Sequence, residues 1–190
     1  MTKLERVTKE TKIELILDIE GSGRASIETG IGFFDHMLES FAKHARFDLE
    51  LRCEGDLHVD YHHSVEDVGI VLGEALYKEA FPPKQRERFG DSVVVMDEAA
   101  ISCALDLSNR PFLVYEAALD GKIGEFDAEL LEEFFRAFVF NARITCHLIQ
   151  LRGKNRHHIA EAAFKALAVA LRRALRHDPR AGIPSTKGVI

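Results

Sequence analysis

One short pattern occurs twice in this chain, and it constrains the fold more than any other feature. The first copy is His62-His63-Ser64-Val65-Glu66, and the second is His157-His158-Ile159-Ala160-Glu161. Residues four apart share one face of a helix, so His62 with Glu66, and His157 with Glu161, can each grip one ion. His63 and His158 lie one residue on and must point elsewhere. Each copy opens an apolar run of helical period: Val68, Val71, Leu72, Ala75 and Leu76 in the first, and Ala162, Ala163, Phe164, Leu167, Ala168 and Leu171 in the second. A single HHxxE reads equally well as a solvated helix start. Two copies, each opening an apolar helix, point to metal ligation.

The rest of the chain repeats with them. Residues 4–20 alternate as strand, turn, strand, and Ala25 to Glu28 is a third strand. Phe33, Phe34, Met37, Leu38 and Phe41 form a helical stripe, and Phe47 to Cys53 alternates as a strand. Leu57 and Val59 read as a partner strand. The first motif helix then runs to about Ala80, closed by Pro82-Pro83. The second half has strands over 92–107 and 111–118, turns at Gly121 and Gly124, a Phe-rich helix over 128–141, a strand over 144–151, and the second motif helix. This order predicts an α+β fold: an internally duplicated unit of a mostly antiparallel four-stranded sheet with two helices on one face, the two halves packed through their helices. The repeats span about 1–83 and 90–178, followed by a loop-like C-terminal tail, in a single domain over 1–190.

Composition excludes several functions. Net charge is −6, which gives no general attraction to nucleic acid. Cys53, Cys103 and Cys146 have no CxxC spacing and read as buried apolar residues of a reducing compartment. The opening Met1-Thr2-Lys3-Leu4-Glu5-Arg6 lacks the apolar core of a signal peptide, and no apolar run reaches transmembrane length. A soluble, cytoplasmic protein that binds neither nucleic acid nor membrane is expected. The duplication also pairs His36, in the earlier helix of the first half, with Glu133 at the matching place in the second, each a metal-competent side chain. His147, within an apolar strand, reads as a core histidine.

Eight stretches together resemble the imidazoleglycerol-phosphate dehydratase family over nearly the whole chain. The first half carries Arg6-x-Thr8-x-Glu10-Thr11, Gly32-Phe33-Phe34-Asp35-His36-Met37-Leu38, Gly55-Asp56-Leu57-His58-Val59-Asp60 and His62-His63-x-x-Glu66-Asp67. Next come Arg88-Phe89-Gly90 and Met96-Asp97-Glu98-Ala99. The last two are Gly153-Lys154-Asn155-x-His157-His158-x-x-Glu161-Ala162 and Pro184-Ser185-Thr186-Lys187-Gly188. Where many members carry a histidine ligand in the second-half helix, this chain has Glu133. The resemblance implies a manganese-dependent hydro-lyase of histidine biosynthesis, with two Mn2+ ions per active site, that converts imidazole glycerol phosphate to imidazole acetol phosphate. It also implies a 24-subunit homo-oligomer with active sites at subunit interfaces.

That chemistry gives each candidate residue a task. The proton to be removed has no neighbouring carbonyl, so simple base abstraction faces a prohibitive barrier. Metals on the ring nitrogens would stabilise an imidazolate, which expels hydroxide through a diazafulvene-like intermediate. His36, His62, His63, Glu66, Glu133, His157, His158 and Glu161 are the candidate ligands. Glu10 matches the family's substrate-contacting glutamate and is the candidate for proton transfer, with Glu66 and Glu161 able to shuttle protons as well. Arg88, Arg110 and Lys187, with the hydroxyls of Ser185 and Thr186, suit the phosphate, and Lys165, one turn beyond Glu161, suits the substrate. Two other readings use the same motifs: a two-metal hydrolase acting on a phosphorylated small molecule, and a metal-storage or metal-assembled structural protein. The first would generate hydroxide and no ketone. The second leaves the basic residues without a purpose.

Overall fold

A computed structural model describes residues 1–180, 182–188 and 190. The first half contains β1 (Thr2–Val7), β2 (Thr11–Asp18), β3 (Ala25–Glu28), α1 (Gly32–Ala45), β4 (Asp48–Gly55) and α2 (His62–Ala80). The second contains β5 (Phe89–Met96), β6 (Ala99–Asp106), β7 (Phe112–Glu116), a small hairpin of β8 (Lys122–Ile123) and β9 (Phe126–Asp127), α3 (Leu130–Ala142), β10 (Thr145–Arg152) and α4 (Arg156–Ala174). The two large sheets have orders β1-β2-β4-β3 and β5-β6-β10-β7. In each, two pairings are antiparallel, and the last strand, β3 or β7, lies parallel to its neighbour.

Strand alternation decides which face is covered. Along β2 the residues Ile13, Leu15 and Leu17 are fully buried, and along β6 so are Ile101 and Cys103. Helices α1 and α2 cover the first sheet, and α3 and α4 the second. The helices then meet across the middle, α2 against α3 and α1 against α4, so the halves join through their helical faces. Phe34, Phe41, Phe134, Phe135, Phe138 and Phe164 fill this seam with ring pairs 4.9–6.1 Å apart. Glycine lets α2 and α3 approach. A Cβ on Gly73 would stand 2.5 Å from the Phe138 carbonyl oxygen, and one on Gly69 would stand 2.9 Å from that of Phe134. The same contacts align the helices, with residue 69 opposite 134–137 and residue 73 opposite 138–142. Their N-terminal ends therefore lie side by side.

Three expectations need correction. Leu57 and Val59 form no strand. Both sides of β4 are already paired, to β2 and β3, so no edge is free there, and the segment turns instead with the Val59 amide donating to the Asp56 carbonyl at 2.8 Å. His147 is not a core residue. Its neighbours Cys146 and Leu148 point inward, and a strand's two-residue period turns His147 outward, where it is exposed. The stretch expected to hold only turns contains an extra hairpin: Gly121 precedes β8, Gly124 lies in the turn between β8 and β9, and Phe126 is buried against Phe33 and Phe34.

Candidate metal centre and cationic cleft

Both motifs begin at a helix start fixed by local hydrogen bonds. The Asn155 side-chain oxygen accepts from the backbone amides of His157 and His158, at 3.0 and 3.4 Å, and caps α4. Asp60 accepts from the His62 amide at 2.8 Å ahead of α2. The first histidine of each pair then faces its glutamate. His62 Nε2 lies 3.5 Å from Glu66 Oε2, and His157 Nε2 lies 3.2 Å from Glu161 Oε2. The second histidine points away, its ring at 77° to the first in α2 and at 82° in α4.

The α1–α4 contact completes one cluster. His36 projects from the first turns of α1, and its Nε2 lies 3.6 Å from Glu161 Oε2. His36, His157 and Glu161 each offer a donor atom within 4.8 Å of the other two, and among the described residues they are the one group of three that does so. Glu161 is 9% exposed and also accepts from Lys165 Nζ at 2.7 Å. Burial opposes its ionisation, but the Lys165 bond and the charges of Lys165 and His36 prevail, and its pKa lies below the usual glutamate value. This is a charged carboxylate aimed at two imidazoles, a donor set suited to Mn2+, Fe2+ or Zn2+.

The second histidines have partners of their own. His63 Nδ1 bonds Asp56 at 3.0 Å, with its Nε2 3.7 Å from Glu10. His158 Nδ1 bonds Glu98 at 2.7 Å, with its Nε2 3.7 Å from Asp97. A carboxylate behind each ring fixes its tautomer and orientation. Asp97 and Glu98, a motif without an evident task in the sequence, thus gain one. Glu98 is pulled down to about 2, first by His158 and then by the amides of Asn155 and Lys154, which it also ties in place at 2.8 and 3.1 Å. Asp67 is a further residue of this region, with no task evident from the sequence alone. It is buried and takes Thr11 Oγ1 at 2.5 Å and Arg6 at 3.1 Å, clamping the β1–β2 turn that carries Glu10 to the start of α2. The signal was present, since Asp67 directly follows Glu66 in the first motif and Arg6 and Thr11 flank Glu10.

Among the described residues Glu133 forms no hydrogen bond or ion pair with either motif. It is half-buried in the first turn of α3, beside the N-terminal end of α2 that carries His62 and Glu66. It matches His36 in placement: each sits on the helix that packs against a motif helix of the other half.

The basic residues gather elsewhere. Arg88, Arg110, Ser185, Thr186 and Lys187 line one open cleft of about 680 Å³, together with Phe89 and Pro184. Arg88 forks onto Asp106 at 2.7 and 3.0 Å and donates to the Pro184 carbonyl at 2.6 Å, fastening the tail to the sheet. Lys165 is not in this cleft; it sits against Glu161. No helix among the described residues is long and apolar enough to cross a membrane.

The family model described as Imidazoleglycerol-phosphate dehydratase matches residues 29–171, more than half of the chain. The chain belongs to the imidazoleglycerol-phosphate dehydratase family. It is 72% identical to the dehydratase of a Nitratiruptor species and 69% identical to that of Campylobacter hominis, over the full length of both proteins in each case. Among solved structures, the Staphylococcus aureus dehydratase superposes with a TM-score of 0.84 at 39% identity, covering 92% of this chain and 98% of that one. The Pyrococcus furiosus enzyme, in complex with (S)-C348, gives 0.85 at 38% identity, covering 98% and 100%. Membership makes the chain a hydro-lyase of histidine biosynthesis.

The paired carboxylates predict a pH effect for this dehydratase. Asp56 raises the pKa of His63, and Glu98 raises that of His158, because each bond favours the imidazolium. Metal takes the neutral ring, so proton and metal compete. Mn2+ affinity is expected to fall as pH drops through the neutral range. Glu98→Gln removes the anion that retains the proton on His158 and moves the fall to lower pH. Calorimetric titrations at a series of pH values check this, and superimposable pH curves for the two proteins contradict it.

Proposed function

We propose that this chain dehydrates imidazole glycerol phosphate to imidazole acetol phosphate with two Mn2+ ions at each active site, in the cytoplasm, as a large homo-oligomer of the 24-subunit kind. The observation that carries the metal reading is the His36–His157–Glu161 cluster on a motif that the chain contains twice. The donors fit: imidazole and carboxylate, no thiolate, and a glutamate kept ionised by its surroundings. His36, His157 and Glu161 would hold one ion. His62 and Glu66, with Glu133 beside them, form the counterpart in the other half, and His63 and His158 serve ions on the diverging side. A bound metal would supply Lewis acidity at the substrate's imidazole ring, the assistance that the proposed imidazolate and diazafulvene-like route would need.

The chain's own groups do the rest. Asp56 and Glu98 each bond Nδ1 of a second imidazole, which orients the ring and leaves Nε2 as the nitrogen that would take a metal. Glu10, on the turn clamped by Asp67, sits 3.7 Å from His63 and moves the proton at the neighbouring carbon. Glu66 and Glu161 can pass protons at the ring end. Lys165 places a cation beside Glu161, where a departing oxygen gathers charge. Arg88, Arg110, Lys187, Ser185 and Thr186 take the phosphate.

One chain does not bring these parts together. The Gly90 Cα lies against the Ala170 carbonyl, and the Arg88 amide bonds the Ala174 carbonyl, so the cleft lies beside the C-terminal end of α4. Glu161 lies near its start, and from there to Ala170 is about 14 Å along the axis. The cluster and the cleft thus sit toward opposite ends of α4, which supports the reading that subunits share the site. Metal then links ligands of different chains, and chelation is expected to shift the protein to a smaller species in sizing chromatography. An unchanged elution volume contradicts shared sites. Product analysis by NMR tests the reaction. A ketone with its phosphate retained supports dehydration. Release of inorganic phosphate without ketone would favour the two-metal hydrolase.

A further inference from the structure

The chain has more acids than bases, 31 against 25, yet four arginines and a histidine gather around one cleft. Arg46, Arg172, Arg173, Arg176 and His177 line an open space of about 440 Å³ where the C-terminal ends of α1 and α4 meet the residues after β2. It shares no lining residue with the cleft of Arg88 and Lys187. Among the described residues the single acid on its wall is Glu20, which Arg86 already holds at 2.9 Å. Arg173 lies 3.9 Å from Asp91, and Arg176 bonds Glu87 at 2.5 Å. Arg46 and Arg172 have no carboxylate within ion-pair distance among the described residues, although most arginines of this chain do. In the substrate cleft, by contrast, Arg88 and Arg110 share Asp106.

Like charges crowd here against their own repulsion. Arg172 is half-buried, and burial followed by the charges of Arg46 and Arg173 pulls its pKa down. His44, one turn back on α1, is pushed down as well, by burial and then by Lys165 and Arg172. Cations do suit helix C-termini. The end carbonyls, however, already have donors. The amides of Leu175, Arg176 and Arg88 take those of Leu171, Arg173 and Ala174, the Arg86 side chain takes that of Leu175, and the Phe47 amide takes that of Ala42. Arg172 gives one nitrogen to the His44 carbonyl at 2.9 Å, and its remaining donors are free for a ligand. Guanidiniums present paired donors that match phosphate oxygens. Several of them around a space of small-molecule size call for more than one anionic group. We infer that this cleft binds a small anion with two linked phosphate groups, either inorganic pyrophosphate or the diphosphate of a nucleotide. The site is independent of the dehydratase reading, because none of its residues belongs to the metal clusters or the substrate cleft.

Calorimetric titration of pyrophosphate into the manganese-loaded protein tests this with three proteins: wild type, Arg46→Glu with Arg172→Gln, and Arg88→Ala. Chelation of Mn2+ by the probe is common to all three and cancels in the comparison. Wild type should show two classes of site, one in each cleft. The Arg46–Arg172 variant should lose one class and keep the other, and Arg88→Ala should keep the first at wild-type affinity. An unchanged isotherm for the Arg46–Arg172 variant overturns the assignment, as does loss of all binding in Arg88→Ala. Arg46→Glu alone keeps the idea testable should the change at half-buried Arg172 disturb the fold, because Arg46 is exposed. It should weaken the site by about tenfold or more, since one guanidinium becomes a repelling carboxylate, and an unaltered affinity contradicts the proposal. Orthophosphate should bind about tenfold more weakly than pyrophosphate, having fewer oxygens to share among the arginines; equal affinity removes the diphosphate assignment. ADP distinguishes the two sources. Tighter binding than pyrophosphate identifies a nucleotide, and equal or weaker binding identifies the inorganic anion.

Discussion

Glu161→Gln is expected to lower kcat/KM by about 10³-fold or more, some 4 kcal/mol of transition-state stabilisation, and to weaken Mn2+ binding in parallel. Shape is kept and only charge and basicity are lost. Glu161 is the point on which His36, His157 and Lys165 converge, at 3.6, 3.2 and 2.7 Å. An amide there is a poor metal ligand and no counter-charge for Lys165. Being nearly buried, the site has little water to replace the missing anion. Steady-state kinetics with metal analysis of the purified variant checks this. Activity within tenfold of wild type at full manganese occupancy would remove Glu161 from the centre of the mechanism. His157→Ala, which leaves Glu161 and Lys165 paired, should cost metal affinity with less disturbance of the fold.

Arg88→Ala is expected to cost about 10²–10³ in kcat/KM, in line with the loss of a charged hydrogen-bonding partner worth a few kcal/mol. Three losses coincide. A cation leaves the phosphate cleft, the bond that fastens the tail at Pro184 breaks, and Asp106 keeps only the longer contact with Arg110, at 3.7 Å, beside the substrate's anion. Arg88→Lys should recover little, because an ammonium cannot both fork onto Asp106 and reach the Pro184 carbonyl. The discriminating measurement uses imidazole glycerol, the substrate without its phosphate. If Arg88 acts on the phosphate, turnover of this truncated compound is slow in both proteins and nearly equal. An equal fractional loss on both substrates would place Arg88 in the chemistry of the ring.

Much of this was legible in the sequence for definite physical reasons. The strands β2, β4 and β6 alternate strictly, and α1 and α3 carry one wide apolar face, so much of the duplicated order could be read from period alone. The repeated HHxxE showed where each first histidine faces because four residues make about one helical turn. What sequence could not show was partnership across elements. Nothing local says that His36 of the first half meets Glu161 of the second, since that follows from α1 packing on α4. Glu98 was hidden for the same reason, because it lies 60 residues from His158, and Asp67, although next to Glu66 in the motif, meets Arg6 and Thr11 only on folding. His147 and the segment at Leu57 and Val59 were misjudged where apolar composition was read without asking which phase of the strand, or which free sheet edge, was available. The cleft shows the reverse case. Arg88, Arg110 and Lys187 are scattered in sequence, and the chemistry of the phosphate grouped them before the fold did.

The central claim is that the duplicated motifs hold the metal that makes dehydration possible. The most direct measurement is ketone formation from imidazole glycerol phosphate by chelator-stripped protein, before and after adding Mn2+, with Glu133→His run beside the wild type. The account predicts no ketone without metal and full turnover once Mn2+ returns, with Glu133 serving in place of a histidine. Ketone formed at the full rate by metal-free protein would contradict it. So would Mn2+ that binds at the motifs and leaves both proteins inactive.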